Sequence, residues 1–121
     1  MKVLLINPPY PFEESPSPPF GLMALAAYLE DKNIEVKIED YIVNIFSEKR
    51  AYEVMSSFAP DVVGSTGVTM NIKKALSILQ TYKQINPGVC TVLGGPHATF
   101  DAHNMLLNHP YIDVIVRGEG E

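Results

Sequence analysis

Residues 61–97 read DVVGSTGVTMNIKKALSILQTYKQINPGVCTVLGGPH, and the change of period inside this stretch decides the fold. Asp61-Val62-Val63-Gly64-Ser65 is a short, mostly apolar strand. From Ile72 the period changes: Ile72, Ala75, Leu76 and Leu79 recur at i, i+3, i+4 and i+7, which is one face of a helix. Asn86-Pro87-Gly88 stops that helix, and Val89 to Leu93 is a second short strand. Each strand runs into a loop of small or hydroxylated residues, Ser65-Thr66-Gly67-Val68-Thr69 after the first and Gly94-Gly95-Pro96-His97-Ala98-Thr99 after the second.

The same alternation extends outward in both directions. Residues 2–6 are a continuous apolar run after Lys2, as expected of a strand buried on both faces. A proline-rich loop follows, Asn7-Pro8-Pro9-Tyr10-Pro11 and then Pro16, Pro18 and Pro19. Leu22, Leu25, Ala26 and Leu29 mark a first helix, with Gly21 at its start and Asp31-Lys32-Asn33 at its end. From Ile34 to Asp40, Ile34, Val36 and Ile38 alternate with charges, the pattern of a strand nearer the sheet edge. Ser47 caps a second helix that buries Ala51, Val54, Met55 and Phe58, and Pro60 ends it. Past residue 97, Thr99 or Asp101 opens a short fourth helix carrying Met105 and Leu106, which Pro110 closes. Asp113 to Val116 is the fifth strand.

The sum is β-α-β-α-β-α-β-α-β, which implies an α/β fold: a Rossmann-like, flavodoxin-like parallel sheet of five strands, with right-handed crossovers and helices on both faces. The expected strand order is 2-1-3-4-5. The sequence stops at Arg117-Gly118-Glu119-Gly120-Glu121, just past the fifth strand, where a complete fold of this type has a fifth helix. The expectation is therefore a fragment, residues 1–121 forming one domain of a longer chain, with an apolar strip where that helix would lie.

Bulk composition limits the function. One domain of 121 residues, 46% apolar and 19% charged, is an ordinary globular chain. Its net charge of −5 argues against a nucleic-acid or anionic-membrane binder. The first apolar run is too short for a signal peptide or a membrane span. The single cysteine, Cys90, allows no internal disulfide and no cysteine-held cluster, reads as a small buried residue of the fourth strand, and suits a reducing cytoplasm.

In a doubly wound sheet, ligands bind beyond the carboxyl ends of the strands, where the loops beginning at Asn7, Ser65, Gly94 and Arg117 converge. Gly94-Gly95 either lets a flat ligand approach the backbone or simply makes a tight turn. The hydroxyls of Ser65, Thr66 and Thr69 either donate to a ligand or cap the third helix. His97 lies in the rim, whereas His103 and His109 fall on and near the end of the fourth helix, and no three-histidine metal site is expected. No nucleophile–base pair or carboxylate pair can be assigned; Glu119 and Glu121 in their glycine loop are weak candidates for acid–base work.

Three relatives of the fold can be weighed. A response-regulator receiver needs acidic residues after strand one, an aspartate ending strand three and a lysine ending strand five; Asn7-Pro8-Pro9, Ser65-Thr66 and Arg117 stand there instead. The hydroxyl loop Ser65–Thr69 resembles part of a flavodoxin phosphate loop but follows strand three rather than strand one, which disfavours a flavin module. No Gly-x-Gly-x-x-Gly follows strand one.

Taken together, the loops resemble the N-terminal cobalamin-binding (vitamin B12) domain of the cobalamin-dependent radical S-adenosylmethionine (radical SAM) family. The likeness is carried by Val3-Leu4-Leu5-Ile6-Asn7-Pro8-Pro9, Pro19-Phe20-Gly21-Leu22 with Leu25-Ala26-Ala27-Tyr28-Leu29, Pro60-Asp61-Val62-Val63-Gly64, Gly94-Gly95-Pro96-His97-Ala98-Thr99 and Asp113-Val114-Ile115-Val116-Arg117-Gly118-Glu119-Gly120-Glu121. It runs the length of the chain in the family's order, and the Gly-Gly-Pro-His and Arg-Gly-Glu-Gly-Glu pair is its most specific part. The resemblance implies a corrin on the carboxyl-end rim against Asn7, Pro8, Thr66, Val68, Thr69, Gly94, Gly95, Pro96, His97 and Glu119, and a nucleotide tail running into the sheet beside strands one, three and four. Other cobalamin domains carry Asp-x-His-x-x-Gly after strand one; no histidine stands there in this chain, which implies base-off cobalamin with no histidine from that loop.

The resemblance also implies partners. A downstream radical SAM domain of the same chain would bring a [4Fe–4S] cluster and S-adenosylmethionine, and the parent would be a methyltransferase or related Fe–S oxidoreductase, leaving this piece a cofactor holder without catalytic residues. The alternative is a degenerate Rossmann-like docking domain that no longer binds a cofactor. The open rim favours the first reading, and it casts Gly95→Trp as a substitution that blocks the corrin while sparing the fold.

Overall fold

The computed structural model describes residues 1–10 and 19–118, with the backbone alone at 98–100. Its elements are β1 (Lys2–Asn7), α1 (Phe20–Asp31), β2 (Glu35–Asp40), α2 (Glu48–Ser57), β3 (Val62–Thr66), α3 (Ile72–Ile85), β4 (Cys90–Gly94), α4 (Pro96–Asn108) and β5 (Val114–Ile115). All strand pairs are parallel, and the sheet order is β2-β1-β3-β4-β5, as the alternation predicts.

The strands sort their side chains by period two. Leu4, Ile6, Val63 and Leu93 face one way and form the main core with Ala51 and Val54 of α2, Leu79 and Tyr82 of α3, and Met105 of α4. Val3 and Leu5 face the other way, against Ala26, Leu22, Leu25 and Leu29 of α1. β1 is thus buried on both faces, which is why its apolar run is unbroken. Burying each large apolar side chain contributes about 1.5–3 kcal/mol, so the covered face carries most of the stability.

Local signals place the helix ends. The Ser47 hydroxyl accepts from the Arg50 N–H at 3.0 Å, the expected cap of α2, worth about 1 kcal/mol. Three expectations need correction. α4 begins at Pro96, ahead of Thr99 or Asp101, because proline at the first helical position is preset for the helix and needs no donor. Asp101 instead marks a kink inside it, with φ −128° and ψ 27°. Cys90 opens β4 and is only half-buried. The regular part of β5 is two residues, although hydrogen bonds from Asp113 N to Thr91 O (3.1 Å) and from Val116 N to Leu93 O (2.9 Å) continue on either side.

Polar groups tie the far edge to the helices. Lys83 Nζ donates to Val89 O at 2.6 Å and to Asp113 Oδ2 at 2.5 Å, and the Thr91 N–H donates to the same carboxylate at 2.9 Å. The Thr91 hydroxyl also donates to the Tyr111 carbonyl. Partial burial pushes the Asp113 carboxyl up, but the Lys83 ammonium and the Thr91 donors outweigh it and hold the group below its ordinary value.

Among the described residues, three helices cover one face and α1 alone packs on the other, over β1 and β2. The α1-side face of β3, β4 and β5 is therefore left without a helix among the described residues. Register puts Leu5, Gly64, Val92 and Val114 in one row across it, and Val114, at the open end, is 43% exposed.

Candidate functional site

A cavity of about 420 Å³ opens on this thinly covered face, between the first turns of α1 and the carboxyl-terminal halves of β1, β3 and β4. Its volume is within the range of about 300–1,000 Å³ usual for small-molecule sites. Leu5, Gly64 and Val92 form its floor, Leu22 and Leu25 of α1 one wall, and Val116 the opposite side. Asn7, Thr66, Gly94 and Gly95 lie toward the strand ends.

The space exists because glycines stand where side chains would project. Five of the fifteen lining residues are glycine: Gly21, Gly64, Gly94, Gly95 and Gly118. Val63 points into the main core, so Gly64, its neighbour along the strand, faces the cavity. A Cβ at Gly64 would meet only ordinary contacts, 3.6 Å from Leu5 Cδ2 and 3.8 Å from Val92 Cβ. A Cβ at Gly94 would find its nearest neighbour, Val116 Cβ, at 3.9 Å, and one at Gly21 would find nothing within 4 Å. The cradle at these positions is open rather than tightly packed.

Gly95 differs. Its φ is +99°, and a Cβ would lie 2.6 Å from Gly67 O, 2.8 Å from Gly67 N and 2.8 Å from Thr66 Oγ1. Gly95 is therefore required by the turn itself, which settles one of the two readings of Gly94-Gly95 in favour of the turn at residue 95. The expectation that Gly95→Trp spares the fold is overturned by the same contacts: any side chain there forces the β3 and β4 loops apart. Those loops are otherwise joined by Gly67 N to Gly94 O (3.1 Å) and His97 N to Gly67 O (3.4 Å).

The polar groups of the rim are held by specific partners. Asn7 Nδ2 donates to Asp40 Oδ1 at 3.1 Å, and the Ile42 N–H donates to the same oxygen at 3.0 Å. Because a carboxylate only accepts, this bond fixes which end of the Asn7 amide is nitrogen. Asn71, not Thr69, is the N-cap residue of α3, and its Oδ1 accepts from the Val68 N–H at 2.8 Å. Thr69 Oγ1 instead lies 3.3 Å from His97 Nδ1, an exposed pair across the two loops. The Ser65 hydroxyl donates to the Thr66 carbonyl at 2.9 Å. Among the described residues no group of three His, Cys, Asp or Glu side chains is placed to hold a metal ion.

Of the ten residues assigned to the rim, Asn7, Thr66, Gly94 and Gly95 line the cavity. Thr69 and His97 meet beside it, Val68 is half-buried and Pro96 exposed, and Pro8 is fully buried and does not line it. Glu119 lies outside the described residues, as does Glu121. Sequence reasoning missed the walls, Phe20, Gly21, Leu22 and Leu25, and Leu5 and Val92 of the floor, as parts of a site; Gly64 belongs to the run of small and hydroxylated residues at 64–69 that leaves room for the ligand. No helix among the described residues is long and apolar enough to cross a membrane.

Over its full length the chain is 40% identical to an anaerobic magnesium-protoporphyrin IX monomethyl ester cyclase of Rubrivivax gelatinosus and 35% identical to an uncharacterized methyltransferase of Pyrococcus horikoshii, of which it spans 23% and 27%. It thus spans about a quarter of the length of these curated relatives. Its fold matches part of TsrM, a radical S-adenosylmethionine methyltransferase from Kitasatospora setae, with a TM-score of 0.75 and 20% identity over 90% of this chain and 22% of that one. The B12 binding domain family matches residues 14–121, and the chain belongs to that family.

Proposed function

We propose that the chain holds cobalamin for a longer radical SAM enzyme, with the nucleotide tail in the cavity between α1 and the sheet and the corrin across the carboxyl-end rim. The observation that carries this reading is the glycine-built, apolar cavity opening at the strand ends on the face that α1 covers only in part. A flat group fits between the α1 wall and the glycine floor without displacing backbone, whereas the amide-fringed corrin exceeds the space and has to remain at the mouth. There Asn7, held by Asp40, and Thr66 meet its amide arms, and the Thr69–His97 pair borders it.

Bound cobalamin supplies a cobalt centre able to carry and release a methyl group. The chain's own residues orient it, keep water from the tail and leave the outer corrin face for a second domain. No histidine occurs between Asn7 and Pro19, which supports cobalamin held base-off without a ligand from the β1 loop. The relatives' greater length supports a radical SAM domain downstream, where the [4Fe–4S] cluster and S-adenosylmethionine would bind, and a parent that transfers methyl groups or performs a related Fe–S-dependent oxidation.

The test is a cobalamin titration of the protein followed by visible absorption. Saturable uptake with a base-off spectrum is the expected result. A histidine-ligated or base-on spectrum would overturn the ligation while keeping the cofactor. Absence of uptake would leave a docking module that binds no cofactor.

A further inference from the structure

Corrinoids share the macrocycle and differ in the base at the end of the nucleotide tail, which is a benzimidazole in some, a purine in others, and absent in tail-less forms. We infer that this cavity selects among them, favouring an apolar benzimidazole over a purine. The inference rests on the placement of the tail proposed above.

The selectivity follows from what the deep part of the cavity presents. Leu5 and Val92 on the floor, Leu22 and Leu25 on the wall and Val116 opposite are hydrocarbon, and Gly64 between them adds no side chain. The strand backbone beneath is committed to the sheet, since Leu5 pairs with Gly64 and Gly64 with Val92 in parallel register. The polar side chains of the lining, Asn7, Ser65 and Thr66, stand at the strand ends, with the Asn7 amide already tied to Asp40 and the Ser65 hydroxyl to the Thr66 carbonyl. A dimethylbenzimidazole held base-off brings one free ring nitrogen but buries methyl groups and ring carbons against such a surface and gains from it. An adenine brings ring nitrogens and an exocyclic amine that the floor side chains cannot pair, and burying unpaired polar groups is unfavourable. The glycine floor sets the size of the base and the hydrocarbon walls set its polarity.

The experiment compares three probes on the same protein by equilibrium titration: cobalamin, its adenine-based analogue pseudocobalamin, and tail-less cobinamide. Pseudocobalamin is expected to bind at least about tenfold more weakly than cobalamin, the cost of one unpaired buried polar group. Cobinamide is expected to lose the tail's contribution as well. Val92→Thr, nearly isosteric, puts a hydroxyl on the floor and is expected to narrow the gap between cobalamin and pseudocobalamin, with thermal unfolding run in parallel to show that the variant is folded. Equal affinity for cobalamin and pseudocobalamin would overturn the selectivity while leaving the tail in place. Equal affinity for cobalamin and cobinamide would overturn the tail's placement as well. Failure to take up any of the three would refute the cofactor-holding function itself.

Discussion

Gly64→Leu separates the cavity's role in binding from its role in folding, because it should move the two in opposite directions. The leucine Cβ would sit 3.6 Å from Leu5 Cδ2 and 3.8 Å from Val92 Cβ, ordinary contacts, and Gly64 is not held in the left-handed region where a side chain is strained. Its remaining carbons extend into the 420 Å³ space between sheet and α1. Full burial of a leucine contributes about 1.5–3 kcal/mol, and replacing a strand-interior glycine adds about 0.5–1 kcal/mol. The mouth is open, so burial is incomplete and a net gain of about 1–2 kcal/mol in the cofactor-free protein is expected. At this chain length that raises Tm by about 3–10 °C. The same carbons occupy the place proposed for the flat base, so cobalamin affinity should fall at least about 100-fold through loss of that apolar burial.

Thermal unfolding with and without cobalamin reads both effects. The natural protein should start lower and rise with cobalamin, since a ligand that binds only the folded state stabilises it by mass action. The variant should start higher and stay there. A variant less stable than the natural protein without cobalamin would show that position 64 does not face open space. One that cobalamin stabilises as strongly as it does the natural protein would show that the tail lies elsewhere.

Asp40→Ala should weaken cobalamin binding by acting through Asn7; if so, its effect is a few-fold in the natural background and vanishes in Asn7→Ala, a non-additivity that a double-mutant titration measures. Gly95→Ala should destabilise the fold by about 1–3 kcal/mol in chemical denaturation, from the φ of +99° and the 2.6 Å approach of its Cβ to Gly67 O, with no cofactor present. Asp113→Asn should remove an acid-sensitive contribution. Its folded pKa lies below the ordinary 3.8, so the stability it adds is present above 3.8 and is lost as pH falls through the lower folded value. The gap between natural protein and variant in urea denaturation should therefore be constant near neutrality and close under strong acid; a gap that widens toward acid would contradict the assignment.

The fold was legible because each strand and helix obeys a single period over several residues. The unbroken run at residues 2–6 and the alternation at 34–40 separated a doubly buried strand from an edge strand, and β1 and β2 occupy those places. The start of α4 is harder to see: Thr99 and Asp101 are good capping residues, while the real start rests on Gly95's positive φ and Pro96's fixed one, and Gly-Gly-Pro suits a loop equally well. Cys90 was misread because its position in the run says strand but not which end of it.

The candidate site was half legible, and the division has a physical cause. Residues at strand ends announce themselves by composition, so Asn7, Thr66, Gly94 and Gly95 could be assembled at one rim from the topology alone. The floor and wall send no such signal. Leu22 and Leu25 keep the same helical spacing whether they cover a sheet or line a cavity, and Leu5, Gly64 and Val92 become one surface only once parallel register puts them in a row. What turns that row into a cavity is the position of α1 over β1 and β2, away from β4 and β5, together with a glycine where the row needs a side chain to close. The rim of a cavity can thus be read from loops, while its floor is made of strand residues that look like ordinary core.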